Sequence, residues 1–486
     1  AWSVLLAGVG AALLLCHATP AQAQSITITD HEPVTNAVGV DVSAPITSSF
    51  DTAVQASTVT TRTFAVRSSF RGLYTDTATV NGDTVTLDPS RDFFAGEQVQ
   101  VVGSAAISST GGAPLAPTQW GFTAGEVTDR CVGGFTDIDA GLLQGMSDGS
   151  SVAWGDYDND GDLDLLFAGA SGTTRIARLY RNDGGVFVDS GTADNALIGV
   201  GWGHVAWGDY DNDGDLDILL TGWNNVGYAK IYRNDGGVFV DSGTTDDALI
   251  GVWYSSVAWG DYDNDGDLDI LLTGGDAAGP VTKVYRNDNG SFEDSGTADD
   301  ALTGVSSSSV AWGDYDNDGD LDVLLTGVDA SPSFVAKVYR NDNGSFEDSG
   351  TADDILTGVG MSSVAWGDYD NDGDLDILLT GVNDSSGELT QVYRNDNGSF
   401  VDSGTTDDAL TGVAWSSVAW GDYDNDGDLD ILLTGDDNIN SIAKVYRNDN
   451  GGFVDSGPID DALTGVSSSS VAWGDYDNDG DLDILL

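Results

Sequence analysis

The 486-residue sequence is poor in sulfur, in histidine and above all in positive charge. Its two cysteines are Cys16, inside an apolar leader, and Cys131. One thiol therefore remains in the mature chain, which excludes a disulfide framework and leaves stability to packed sheets and metal. Lys plus Arg number 17, only four of them Lys, against 80 Asp plus Glu, for a formal net charge of −63. Nucleic acid and anionic membrane surfaces are poor partners for such a field, and the acid excess points to a salty habitat. Past the leader there are two histidines, His31 and His204, far apart in the chain. No nucleophile–base pairing, zinc spacing or phosphate loop accompanies them, so the chain is not expected to be an enzyme. Beyond the leader no apolar run approaches membrane-spanning length, which argues against membrane insertion.

The leader runs apolar and uncharged from Trp2 to Leu15, and Ala21-Gln22-Ala23 fits a cleavage site. Residues 1–23 read as a secretory signal peptide and place the mature chain outside the cell, secreted or at the cell surface. The leucines before Cys16 are not the small residues of a lipoprotein site. With no initiator Met and no basic lead, the sequence is expected to be clipped at its start.

Internal repetition dominates the C-terminal two thirds of the chain. WGDYDNDGDLD begins at Trp154, Trp207, Trp259, Trp312, Trp366, Trp420 and Trp473, at steps of 53, 52, 53, 54, 54 and 53 residues. A second block close to YRNDNGSFVDSG starts at Tyr180, Tyr232, Tyr285, Tyr339, Tyr393 and Tyr446. Each unit predicts four short strands, like Ser256–Trp259, Leu268–Leu272, Lys283–Arg286 and Ser291–Asp294. Asn-Asp-Asn-Gly or Asn-Asp-Gly-Gly between the last two suits a tight hairpin, which also accounts for the Asn289-Gly290-Ser291 sequon. Radial repetition of such units predicts an all-β chain with a seven-bladed β-propeller over 131–486, eight blades being the alternative. The seventh copy ends at Leu486 after its second strand. Gly134-Phe135-Thr136-Asp137 matches the fourth-strand pattern and is expected to seal the last blade; its missing third strand suggests a chain clipped at its end too. The repeated Trp reads as core between blades. Residues 25–125 hold alternating strands at Thr84–Leu87 and Gln98–Val101 and predict an immunoglobulin-like β-sandwich, expected to serve as a spacer.

The chemistry lies in the Asp loop. In 156–164, Asp156, Asp158 and Asp160 alternate so that a curled loop aims three carboxylates inward. Gly161 permits the sharp turn, and Asp164 closes the site as the next strand begins. Six to eight oxygens at flexible angles are what calcium takes. Asp, Asn and Gly also make ordinary polar turns, but that does not account for an identical loop recurring seven times beside loops that vary. The apolar twelfth position, Phe167 or Leu220, excludes an EF-hand. The candidate metal residues are Asp156, Asp158, Asp160, Asp162 and Asp164, then Asp209, Asp211, Asp213, Asp215 and Asp217, then Asp261, Asp263, Asp265, Asp267 and Asp269. They continue with Asp314, Asp316, Asp318, Asp320 and Asp322, with Asp368, Asp370, Asp372, Asp374 and Asp376, with Asp422, Asp424, Asp426, Asp428 and Asp430, and with Asp475, Asp477, Asp479, Asp481 and Asp483. About seven Ca2+ ions, one per repeat, would reduce the net charge from −63 to about −49.

The repeat resembles the FG-GAP-like or VCBS repeat of bacterial surface proteins, related to the propeller of integrin α subunits. The resemblance spans about 135–486. It implies calcium held by the side chains of loop positions one, three, five and nine and by the carbonyl of position seven. Trp-Gly stands where the family name has Phe-Gly, and no Gly-Ala-Pro occurs in the repeat, so integrin-type ligands are not implied. The stretches at 34–54, 83–101 and 119–125 resemble the bacterial Ig-like module of surface-layer proteins.

Antiparallel blades put the uniform calcium loops and hairpins on one face and the variable connections on the other. There Trp202, His204, Trp223, Trp253, Tyr254 and Trp415 stand where other copies have plain residues. That face is expected to bind an extracellular protein or glycan, neutral drift being the competing explanation. Three functions remain open: an adhesion or interaction module, the propeller part of an extracellular polysaccharide-degrading enzyme whose catalytic region lies elsewhere, and a plain spacer.

Overall fold

A computed structural model describes residues 25–125, 135–138, 148–191, 196–296, 298–350, 353–383, 385, 387–404, 409–457 and 463–486. The signal peptide read at 1–23, Cys131 and Gly134 lie outside them. The described chain is built of strands, with only two short 3-10 turns. Among the described residues no helix is long and apolar enough to cross a membrane.

The N-terminal module has eight strands: β1 (Ile28–Glu32), β2 (Ile46–Phe50), β3 (Phe64–Ser68), β4 (Gly72–Leu73), β5 (Thr79–Asn81), β6 (Thr84–Leu87), β7 (Gln98–Gly103) and β8 (Thr118–Thr123). They form two four-stranded sheets, β1-β2-β6-β5 and β4-β3-β7-β8. The apolar half of each alternating strand faces inward, so Ile46, Val85, Leu87, Val99, Val101, Trp120 and Phe122 make one core.

Each repeat then forms its own antiparallel sheet with strands in chain order. In the first unit these are β9 (Asp148–Gly155), β10 (Asp164–Ser171), β11 (Thr174–Asn182) and β12 (Phe187–Asp189). Five further units repeat the pattern, and the seventh has the pair Ala472–Gly474 and Asp483–Leu485. The second strand is buried on both faces, as its unbroken apolar run demands: Ile270, Leu271 and Leu272 are fully covered. In the hairpins, Asn289 (φ 54°) and Gly290 (φ 84°) both adopt left-handed backbone, the geometry a two-residue turn between twisted strands needs.

Neighbouring units lock through aromatic rings. Tyr157 of the first loop stacks on Trp207 of the second unit at 6.4 Å, and both touch Phe239. Gly208 must be glycine, because a Cβ there would lie 2.7 Å from the Trp259 ring. The last unit meets the first in the same manner. Tyr476 lies 5.9 Å from Phe187, and Asn182 Nδ2 donates to Tyr476 O at 2.7 Å, as Asn234 does to Tyr157 O. Residues 135–138 form no strand, yet Phe135 sits 6.2 Å from Tyr423 and 6.1 Å from Trp473. Phe453 takes that place against Tyr369 and Trp420 in the unit before.

The N-terminal module is not held out as a spacer. It rests on the Asp loops, and all four of its arginines reach them. Arg62 bonds Asp267, and Arg67 bonds Gly266 O and, at 2.9 Å, Asn212. Arg71 Nε lies 3.3 Å from Asp156 Oδ2, and Arg91 Nη1 lies 3.0 Å from Asn159 Oδ1. Between module and repeats lies a cavity of about 410 Å³, lined among others by Arg67, Gln119, Asp209 and Trp312.

Candidate metal centres

Each loop curls because its own carboxylates bind its backbone. In the first, Asp156 accepts from the amides of Asp160 at 2.9 Å and Gly161 at 3.1 Å, and Asp160 accepts from Asp162 N at 3.0 Å. Asn159 (φ 60°) and Gly161 (φ 98°) supply the left-handed residues of the turn. Asp164, the first residue of β10 and fully buried, accepts from Tyr157 N at 3.1 Å and Asn182 N at 2.8 Å. The same bonds recur from unit to unit, for example around Asp261, Asp265 and Asp269.

The result is a set of convergent acids. Asp156, Asp158 and Asp164 offer oxygens within 4.8 Å of one another. So do Asp209, Asp211 and Asp217; Asp314, Asp316 and Asp322; and Asp368, Asp370 and Asp376. In the third loop the trio is Asp261, Asp263 and Asp265. Burial pushes Asp164, Asp322, Asp376 and Asp430 up to about 9 and Asp209, Asp261 and Asp314 up to about 7, with neighbouring carboxylates adding to the rise. Asp217 and Asp269 are also driven well above the carboxylate range by burial.

The third-position acids provide the test of fit. The Oδ1 atoms of Asp158, Asp211, Asp263, Asp316 and Asp370 are buried without a hydrogen-bond partner. A buried anionic oxygen left bare is costly, and here it recurs at one position beside two further carboxylates. An all-oxygen donor set of this kind fits a hard divalent cation.

The seventh-position acids do something else. Asp162, Asp215, Asp267, Asp320, Asp374, Asp428 and Asp481 each accept from the fourth-position Asn of the preceding unit, at 2.8–3.2 Å. Most also cap the hairpin of their own unit: Asn289 N donates to Asp267 Oδ2 at 2.9 Å, and Gly184 N to Asp162 Oδ2 at 2.8 Å. These carboxylates tie loop to loop and loop to hairpin. Sequence reasoning misses this structural use of Asn159 and its equivalents, because the left-handed turn is motive enough for an Asn.

On the opposite side the six expected ligand-face residues divide. Trp202 and Tyr254 approach to 5.8 Å, and Trp415 and Tyr254 are 42% and 39% exposed. Together with Met361 and serines they line a cup of about 370 Å³. Trp223 and Trp253 instead pack edge to face on each other at 5.1 Å, outside the cup. His204 turns away from it. Its Nδ1 lies 3.1 Å from Val257 O, and burial lowers its pKa.

Comparison with known proteins agrees with the repeat structure. A bacterial Ig-like domain model matches residues 22–124. A curated relative, human cartilage acidic protein 1, is 27% identical over 170 residues, covering 32% of this chain; the chain spans about a quarter (25%) of that protein. Among solved structures, an Agrocybe aegerita lectin that recognises non-reducing terminal N-acetylglucosamine is 17% identical with a TM-score of 0.43, over 83% of this chain and 92% of that one. Bacillus licheniformis rhamnogalacturonan lyase is 15% identical with a TM-score of 0.30, over 93% and 71%. The FG-GAP-like repeat model matches at 156–220, 219–272, 273–325, 329–379, 380–433 and 429–486, well over half of the chain, which therefore belongs to the FG-GAP-like repeat family and carries a bacterial Ig-like domain at its N-terminal end.

Proposed function

We propose that the repeats close into a seven-bladed β-propeller pinned by calcium, and that the chain works outside the cell as a non-catalytic module binding a protein or glycan. The observation that carries the metal reading is the bare, buried Oδ1 of Asp158, Asp211, Asp263, Asp316 and Asp370, repeated in register. Positions one, three, five and nine would supply carboxylates and position seven its carbonyl. The ion would supply charge neutralisation among acids that otherwise repel one another.

Closure is supported by the contacts of Tyr476 and Asn478 with the first unit. An extracellular place is supported by the two repeat and domain families, which are typical of surface and secreted proteins. A non-catalytic role is supported by the two histidines, each engaged structurally: His31 stacks on Trp120 at 4.5 Å and His204 bonds Val257. The N-terminal module rests on the loop side, which favours the opposite side for a partner. Metal content of the purified chain, with melting in calcium and in chelator, tests the reading. A metal-free chain whose melting ignores calcium would overturn it.

A further inference from the structure

Five residues before each repeated Trp, every unit carries one residue in left-handed backbone: Gly149, Trp202, Tyr254, Ser307, Met361, Trp415 and Ser468, with φ between 49° and 54°. Only glycine adopts this region freely, and for a bulky side chain it is an outlier. The position is shared around the units: Trp202 N donates to Gly149 O at 3.1 Å, Tyr254 N to Trp202 O at 2.7 Å and Ser468 N to Trp415 O at 2.8 Å. The units thus build one annulus, and four of its seven members hold a large side chain against the local backbone preference. Strain of this kind, when it gathers on one open surface, is a pointer to function.

The next residue of the annulus is a serine in most units, and in four of them its hydroxyl is held in place. Ser255, Ser308, Ser362 and Ser416 lie 2.8–2.9 Å from Thr221, Thr273, Thr326 and Thr380 of the preceding unit. Each of those threonines donates its own hydrogen to a strand carbonyl, at 3.1–3.3 Å. Each pair fixes the place of a serine hydroxyl at the cup wall, and a hydroxyl both donates and accepts. The cup of about 370 Å³ lined by these serines and by Trp202, Tyr254, Met361 and Trp415 has no charged side chain in its wall.

We propose that this annular cup binds a neutral sugar. Flat indole and phenol faces suit the apolar face of a pyranose, and serine hydroxyls, which both donate and accept, suit its hydroxyl groups. A wall without counter-charge matches an uncharged ligand, and the net charge of −63 disfavours an anionic one. The inference rests on the reading of the chain as an interaction module and gives that module its ligand class and its site.

The test uses the full mature chain with calcium. Maltoheptaose, cellopentaose, mannopentaose and galactotriose are offered as neutral probes, polygalacturonate as an anionic one and choline as a cation that aromatic rings alone could hold. Binding is read by saturation-transfer NMR and calorimetry. At least one neutral probe is expected to bind the wild type. A Tyr254→Ser, Trp415→Ser double variant should bind it about tenfold more weakly or not at all, while Trp223→Ala binds as the wild type does. Ser307 and Ser468 occupy the equivalent positions, so the double variant keeps a residue this backbone accepts. No neutral binding, equal binding by the double variant, or binding of choline or polygalacturonate alone overturns the proposal. Calcium-dependent melting of the same samples separates the two readings. A full calcium shift without sugar binding removes the cup and leaves the module, whereas loss of the calcium shift strikes the module itself.

Discussion

Asn478 Nδ2, in the last loop, donates to Asp162 Oδ1, in the first, at 3.0 Å. The same bond joins every loop to its successor, from Asn159 to Asp215 through to Asn425 and Asp481. Loop and loop are therefore coupled around the whole repeat. The buried Asn264, which holds both Gly319 O and Asp320, is the link whose loss should be felt most. Asn264→Ala is expected to cost about 1–3 kcal/mol of stability. It should also broaden calcium-dependent melting, read by scanning calorimetry, because two loops no longer order together.

Third and seventh loop positions should separate cleanly. Asp211 holds a bare buried oxygen, whereas Asp215 accepts from Asn159. Asp211→Ala is expected to remove one bound ion per chain in a metal assay. Asp215→Ala should keep the ion and lose only the inter-loop bond. Ion loss from both variants would mean that the seventh side chain is a ligand.

Removal of calcium is expected to lower the melting temperature markedly. Calcium sites of extracellular modules bind on the order of 0.1–1 mM. At 10 mM free calcium a site of about 1 mM affinity adds roughly 1.4 kcal/mol, multiplied over the sites that are filled. Melting in EDTA, then after calcium is restored, gives the shift. Magnesium at equal concentration should do less, because it demands a tighter octahedral shell.

Periodicity made the strands and the loops readable, because a unit that cannot bury its faces alone has to repeat its pattern to pack. The second strand, the Asn-Gly hairpin and the stacking role of the repeated Trp all come from local pattern. Phe135 was legible for the same reason: it copies Phe453 and lies against Trp473 as Phe453 lies against Trp420. What stayed hidden depends on partners distant in the chain. Asp215 looks like every other loop acid until Asn159 is seen beside it. The left-handed backbone of Trp415 has no mark in a sequence where Gly, Trp, Tyr, Ser and Met all occur at that position. Arg67 and Arg71 look like ordinary strand residues of a separate module, and only docking brings them to Asp261 and Asp156.

The metal-free chain should lose stability as pH rises. Burial holds Asp164, Asp322, Asp376 and Asp430 at about 9 when folded, against near 3.9 when unfolded. Between about pH 4 and pH 9 the folded state binds more protons than the unfolded one, so stability falls across that window. Repulsion among the ionising acids acts in the same direction. In EDTA, melting is expected to be lower at pH 8 than at pH 5. Saturating calcium, which binds the ionised loops, should flatten or reverse the trend.

The N-terminal module should depend on two arginines for its seat. Arg67 is buried with Nη1 4.0 Å from Asp261 Oδ2, and Arg71 reaches Asp156, so each guanidinium faces a first-position loop acid. Arg67→Ser with Arg71→Ser removes both positive charges and leaves the two carboxylates to repel their neighbours. The variant is expected to show a larger radius of gyration in solution scattering, with the module and the repeats melting as separate transitions. Its repeats should also need calcium more than those of the wild type, since only the ion is left to neutralise Asp156 and Asp261. An unchanged radius and a single unchanged transition would mean that apolar contact, such as Gly96 against Leu482, holds the module without them.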